Sequence, residues 1–186
     1  MYRKIVKPTL DFIVSFILIL ILWPLMVITA IITYIDLGSP IHNVIRQREG
    51  KNKKPFIMYK YRTKKLGTEY KPEFTKVSRI IDKLRLNELP QLFNVLKGDM
   101  SLVGPRPFIP GEELPKGTID PKRYMMRPGI TGLAQVCGGR RISHKKKLKF
   151  DVLYYDNMSL WLDLKIILKT FVQIIHIDVD NSKNRL

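Results

Sequence analysis

One cysteine, Cys137, stands in 186 residues, so no internal disulfide framework is available, which fits a reducing compartment. Three histidines, His42, His144 and His176, show no metal-ligand spacing and read as surface or packing residues. Repeats and low-complexity tracts are missing, which excludes solenoid and linker architectures. Acidic residues are scarce: 16 Asp+Glu stand against 33 Lys+Arg, a formal net charge of +17. Anionic partners follow from that balance: nucleic acid, anionic lipid headgroups or phosphorylated small molecules. No recognised nucleic-acid motif accompanies the charge, so a membrane-tethered nucleic-acid binder rests on charge alone.

Charge is wholly missing from Phe12 to Ile35, 24 residues. At about 1.5 Å per residue a straight helix of that length crosses the roughly 30 Å hydrocarbon core. The run is too long for the core of a cleaved signal peptide. Pro24 lies at its centre and predicts a kink or break, because its ring clashes with the preceding turn and it lacks an N–H. Ser15 and Thr29 are candidates to satisfy the freed carbonyls. Basic residues flank both ends: Arg3, Lys4 and Lys7 before, Arg46, Arg48, Lys51, Lys53 and Lys54 after. Positive flanks mark the cytoplasmic side, so a hairpin that enters and leaves one leaflet keeps both inside, and a kinked spanning helix is the alternative.

Beyond the anchor, Gly38-Ser39-Pro40 predicts a turn. Lys54 to Arg62 predicts a strand, and 64–76 and 112–120 read as polar loops. Val77 to Leu84, Leu89 to Leu96 with Gly98 as C-cap, Lys145 to Asp156, and Leu160 to Ile175 read as helices. Pro90 suits the first turn of the second of these. In the last, Trp161, Leu164, Ile167, Leu168, Phe171 and Ile175 form an apolar side that packs on a core or lies in a bilayer interface. Two rigid turns, Gly104-Pro105-Arg106-Pro107 and Arg127-Pro128-Gly129, hold arginine forks that suit phosphate oxygens. Gly104, Gly129 and Gly132 are expected to let backbone N–H groups approach the same ligand.

Several stretches carry a resemblance to a known family. They are Lys7 and Asp11, Pro24, MYKYRT (Met58 to Thr63) and NELPQLFNVLKGDMSLVGPRP (Asn87 to Pro107). RPGITGLAQV (Arg127 to Val136) and FDVLYYDNMSLWLDLKIILKT (Phe150 to Thr170) complete the set. The chain resembles the small monotopic phosphoglycosyl transferases, bacterial sugar transferases that act on polyprenol phosphate, over nearly its whole length. The resemblance implies an α/β, mostly helical fold: a re-entrant helix-break-helix hairpin (1–36, broken at Pro24) and a cytoplasmic catalytic domain (37–186) with amphipathic helices at the membrane interface. It implies transfer of a sugar phosphate from a UDP-sugar to undecaprenyl phosphate, giving a polyprenol diphosphate sugar and UMP at the start of cell-surface glycan assembly. Mg2+ is the implied cofactor. The implied location is the bacterial inner membrane, facing the cytoplasm. Anionic lipids and a second copy or a partner transferase are the further partners expected, and nucleic acid is not. Lys60, Arg62, Arg85, Arg106, Arg127 and Gln135 are the candidate substrate-binding residues, and Asn87 and Glu88 the candidate catalytic and metal-holding pair.

At position 87 the family carries aspartate, which attacks the β-phosphate. An amide is a far poorer nucleophile and a weaker ligand for a hard cation. Asn87 thus leaves three readings: an introduced change that blocks turnover, a non-catalytic member that binds substrate or partners an active transferase, or Glu88 acting alone. Three further departures exist: Asp82 where arginine is usual, Lys7-Pro8 where Lys-Arg is usual, and Cys137 where asparagine is usual. Arg85, one helical turn from position 82, is expected to replace part of the charge missing there.

Overall fold

The computed structural model describes residues 1–39, 47–65, 73–111 and 120–183. Pro40 of the expected turn, His42, Arg46, the middle of the loop at 64–76, nearly all of the loop at 112–120 and the side chains of Ile175 and His176 lie outside the described residues. The first element is a π-helical turn, Tyr2–Val6, that runs into α1, Lys7–Leu37. Gly38 ends α1 with φ of 73°, a left-handed cap that glycine adopts without steric cost.

Helical structure continues across Pro24, where the sequence predicts a break. Proline removes the bond that its N–H would give Leu20 and leaves the other turns of the ladder intact. Ser15 and Thr29 do not answer that loss. The Ser15 hydroxyl donates to the Phe12 carbonyl and that of Thr29 to the Leu25 carbonyl.

Polarity on α1 is inverted relative to a soluble helix. Its buried residues are Lys7, Asp11, Ser15, Met26, Thr29 and Thr33, while Phe16, Leu20, Trp23 and Ile31 are exposed. The polar stripe faces the rest of the protein at both ends. At the N-terminal end the Lys7 ammonium lies 2.7 Å from the Asp163 carboxylate, which also accepts from the Tyr2 and Tyr154 hydroxyls. Asp11, 3.6 Å from Lys7, accepts from the Leu102 N–H. At the C-terminal end the Tyr61 hydroxyl donates to the Met26 carbonyl, Arg62 to the Leu37 carbonyl and the Thr75 hydroxyl to Asp36. A helix of 31 residues is about 46 Å long. Both of its ends nonetheless fasten to one body.

That body is small in sheet and rich in helix. β1 (Gln47–Glu49) pairs antiparallel with β2 (Pro55–Ile57), so the expected strand over 54–62 is regular only in its first part. α2 (Lys76–Lys83) starts on a capping box between Thr75 and Ser78. A 3-10 turn, Leu86–Glu88, leads to α3 (Gln91–Lys97), which begins after Pro90 and ends on a left-handed Gly98. β3 (Ser101–Val103) pairs parallel with β4 (Gly129–Thr131). A short α4 (Leu133–Val136), α5 (His144–Asp156) and α6 (Leu160–Lys183) follow. The core gathers Val103, Met126, Val136, Tyr154 and Ile166, with Phe56, Val95 and Met100 in a second cluster.

Backbone contact explains three glycines. A Cβ on Gly129 would lie 2.0 Å from the Gly104 nitrogen, and one on Gly132 2.1 Å from the Gly104 oxygen. The Gly104 N–H donates to the Thr131 carbonyl and the Gly129 N–H to that of Pro105. These N–H groups, expected from the sequence to meet a ligand, instead join the two rigid turns.

Candidate active site

Two asparagines fix the segment that follows β2. Buried Asn94 of α3 donates to the Ile57 carbonyl at 2.7 Å and accepts from the Tyr59 N–H at 2.9 Å. Asparagine is a weak helix former. Here its amide serves as a clamp. The Tyr61 N–H then donates to the backbone carbonyl of Asn87 at 3.0 Å. Lys60, between these fixed points, is directed at the 3-10 turn. Its ammonium lies 3.7 Å from Glu88, whose same oxygen is 3.3 Å from the Arg85 guanidinium. Burial pushes the Lys60 ammonium below its usual range, and the charges of Arg106 and Arg85 push the same way. Glu88 and Asp82 oppose them.

The cluster therefore holds three cations, Lys60, Arg85 and Arg106, about two carboxylates, Asp82 and Glu88. Its base is Asn87, 1% exposed. The Asn87 amide nitrogen donates to the Asp82 carboxylate at 2.7 Å. An ionised carboxylate can only accept, so the amide oxygen must point away. That oxygen is buried without a partner, a costly condition for a strong acceptor. Arg85, at the turn between α2 and Leu86–Glu88, has φ of 60°. A non-glycine residue in this region is uncommon. The turn folds Asp82 back towards Asn87.

Arg106 is exposed, and its backbone is held from beneath. Buried Arg123 donates to the Arg106 carbonyl, pairs with Asp151 at 3.0 Å and stacks 3.5 Å over the Phe108 ring. Arg123, Asn94 and the Asp82–Asn87 contact are not apparent from motif reading. Asn94 carries one weak signal, a polar residue amid apolar neighbours, and Arg123, next to Lys122, carries none.

The expected site residues thus separate. Lys60, Arg85, Asn87, Glu88 and Arg106 come together. Arg62, 3% exposed, commits two donor groups to the carbonyls of Lys64 and Leu37 and braces the end of α1. Arg85 faces Glu88 rather than simply replacing charge at position 82. Arg127 lies against Gly98, at the end of α3 remote from Glu88; a Cβ on Gly98 would be 3.3 Å from its guanidinium. The Gln135 amide oxygen is buried without a partner, close to Gly132. Among the described residues no group of three His, Cys, Asp or Glu side chains could hold a metal.

An apolar helix long enough to cross a membrane is thus fastened beside a cluster of cations and carboxylates. The chain belongs to the bacterial sugar transferase family, whose model matches residues 2–177. A sugar transferase of Bacillus subtilis, EpsL, whose activity is uncharacterised, is 44% identical over 150 residues, 76% of this chain and 73% of the relative. The undecaprenyl-phosphate galactose phosphotransferase of Salmonella typhimurium is 36% identical over 90% of this chain. The UDP-N-acetylgalactosamine-undecaprenyl-phosphate N-acetylgalactosaminephosphotransferase of Aeromonas hydrophila is 37% identical over 89%. The alignments cover only 40% and 42% of these last two relatives.

Proposed function

We propose that this protein transfers a sugar phosphate from a UDP-sugar to undecaprenyl phosphate, releasing UMP and forming an undecaprenyl diphosphate sugar for surface glycan assembly. The observation that carries the reading is the run Lys60-Tyr61-Arg62. Lys60 faces Glu88, while the next two side chains grip carbonyls of the apolar helix. The phosphate-binding cations and the membrane helix are therefore neighbours along one strand of chain. A lipid phosphate at headgroup level and a soluble nucleotide can meet only in such a place. Lys60, Arg85 and Arg106 are suited to hold the diphosphate, and phosphoryl transfer asks chiefly for positioning and charge neutralisation.

The fastening of both ends of α1 to one body supports a re-entrant helix that bends near Pro24 within one leaflet, with the domain at the cytoplasmic face of the inner membrane. Mg2+ would be held here by Glu88 and Asn87, which offer hard oxygen donors, the Asn87 amide oxygen being buried without a partner. Bound there, the ion would neutralise charge on the diphosphate. Arg62 supports the site through α1 in this reading, and Arg127 and Gln135 support it through the turn that carries Arg106.

The buried amide of Asn87 favours a second reading, a family member that binds a UDP-sugar without turning it over. UMP release decides between them. The full chain is mixed with UDP-hexoses or UDP-N-acetylhexosamines, undecaprenyl phosphate and Mg2+. Release from at least one sugar supports the transferase; binding of a UDP-sugar without release supports the second reading.

A further inference from the structure

Residue 87 lies at the bottom of the site as an amide, yet its nitrogen is bonded to a carboxylate that comes from the preceding helix. Asp82 and Asn87 are two ends of one 2.7 Å hydrogen bond. The pair thus still contains one carboxyl group, carried by the other member. We infer that Asp82 is the catalytic carboxylate of this chain, with Asn87 the positioning residue that orients it; the inference rests on the transferase reading above.

Five observations support the assignment. Asn87 is 1% exposed, whereas Asp82 is only half-buried and can meet a substrate. Glu88, the other carboxylate of the cluster, is already engaged by Arg85 at 3.3 Å and Lys60 at 3.7 Å. Asp82 is held by a neutral amide, and the Lys60 ammonium senses its charge as well as that of Glu88. Asp82 stands in the last turn of α2, where a carboxylate opposes the helix dipole. The connecting residue, Arg85, adopts a left-handed conformation that side chains resist. An unfavourable helix position and an unfavourable backbone angle together bring this carboxylate to the cations.

The step balances as follows. An Asp82 carboxylate oxygen attacks the phosphorus that bears the sugar and forms a new O–P bond. The bond from that phosphorus to the bridging oxygen breaks, and its electron pair leaves on UMP. The result is an acyl phosphate carrying the sugar. A phosphate oxygen of undecaprenyl phosphate then attacks the same phosphorus, and the carboxylate of Asp82 departs with its electron pair. The Lys60 and Arg106 cations stabilise the charge in both steps.

The test uses the full chain in detergent, with a panel of UDP-hexoses and UDP-N-acetylhexosamines. UMP is measured with and without undecaprenyl phosphate, and acceptor-free samples are reduced with borohydride, which converts an acyl phosphate of aspartate to homoserine. Trypsin cuts after Arg79, Lys83 and Arg85, so Asp82 and Glu88 fall on different peptides. Homoserine is expected at position 82 of the unaltered chain, and Asp82→Asn should lower UMP release about 10⁴-fold. Reduction at Glu88, no reduced carboxylate on either peptide, or undiminished release by Asp82→Asn would overturn the assignment while leaving the transferase in place. No UMP from any donor with the unaltered chain would remove the transferase reading and this inference with it. The reduced-peptide readout needs no variant, so it holds even where Asp82→Asn fails to fold.

Discussion

Burial pushes the Asp151 carboxyl up to about 6, although the Arg123 guanidinium 3.0 Å away pulls it down. The folded state therefore binds this proton more tightly than the unfolded chain does. The corresponding stability is fully present below the ordinary value of 3.8 and is lost as pH rises through about 6. Thermal unfolding of the unaltered protein and of Asp151→Asn should diverge across that window and run parallel above it; parallel curves throughout would contradict the assignment. A second expectation concerns Asn87→Asp. It sets two carboxylates across the 2.7 Å contact, and both cannot stay charged at that distance. Unfolding in detergent should show a loss of about 1–3 kcal/mol at pH 7. The raised carboxyl of the new pair makes that loss shrink as pH falls. Lys60→Met should cut UMP release about 10²–10³-fold. A change under threefold, about 0.7 kcal/mol by transition-state arithmetic, would place Lys60 outside the chemistry. Sequence motifs marked Lys60, Asn87 and Glu88, since their neighbours are distinctive. They did not mark the Asp82 contact, because it depends on a left-handed turn at Arg85 that no local preference announces.

Individual elements were legible to differing degrees. α2, α3, α5 and the start of α6 were expected from the sequence, α3 with its cap at Gly98; the caps at Thr75 and Ser143 are seen only in the structure. The strands were harder, since each has only three residues and pairs over a distance that periodicity cannot report. α1 was visible as an apolar run, but its rare polar residues are what direct it. Lys7→Met would leave Asp163 buried with only hydroxyl donors, a cost of about 3–5 kcal/mol. The melting temperature in detergent should fall accordingly, and Lys4→Met, at an exposed position, should leave it unchanged. The bent, one-leaflet arrangement proposed above predicts more. Single cysteines at Ile5 and Ser39, with Cys137→Ser, should both react with a membrane-impermeant thiol reagent from the cytoplasmic side. Labelling of one from each side would instead mean a spanning helix.

Over the whole molecule the apolar surface and the positive charge are complementary. α6 turns Asp163 and Ile166 inwards and leaves Trp161, Leu164, Leu168 and Phe171 exposed, with the Lys165 ammonium 5.2 Å over the Trp161 ring. The sequence allowed either core packing or an interfacial position for this helix; one face packs on the core and the other is exposed. Only two tryptophans exist, so Trp23→Phe leaves Trp161 as a lone reporter. In vesicles with anionic lipid its emission should shift to the blue and be quenched by lipids brominated near the headgroup. Emission typical of water would place α6 away from the bilayer.

The fastening of α1 has a practical corollary for anyone wishing to crystallise or engineer this protein. Removing residues 1–37 would not release a soluble enzyme; it would strip Lys7 from Asp163, Asp36 from Thr75 and the Met26 carbonyl from Tyr61 in a single cut. The apolar segment is in effect a wall of the building rather than its mooring rope. A water-soluble version is better sought by repainting the outer face, with polar replacements at Phe16, Leu20, Trp23 and Ile31, while the inward-facing Ser15, Thr29 and Thr33 are left as they are.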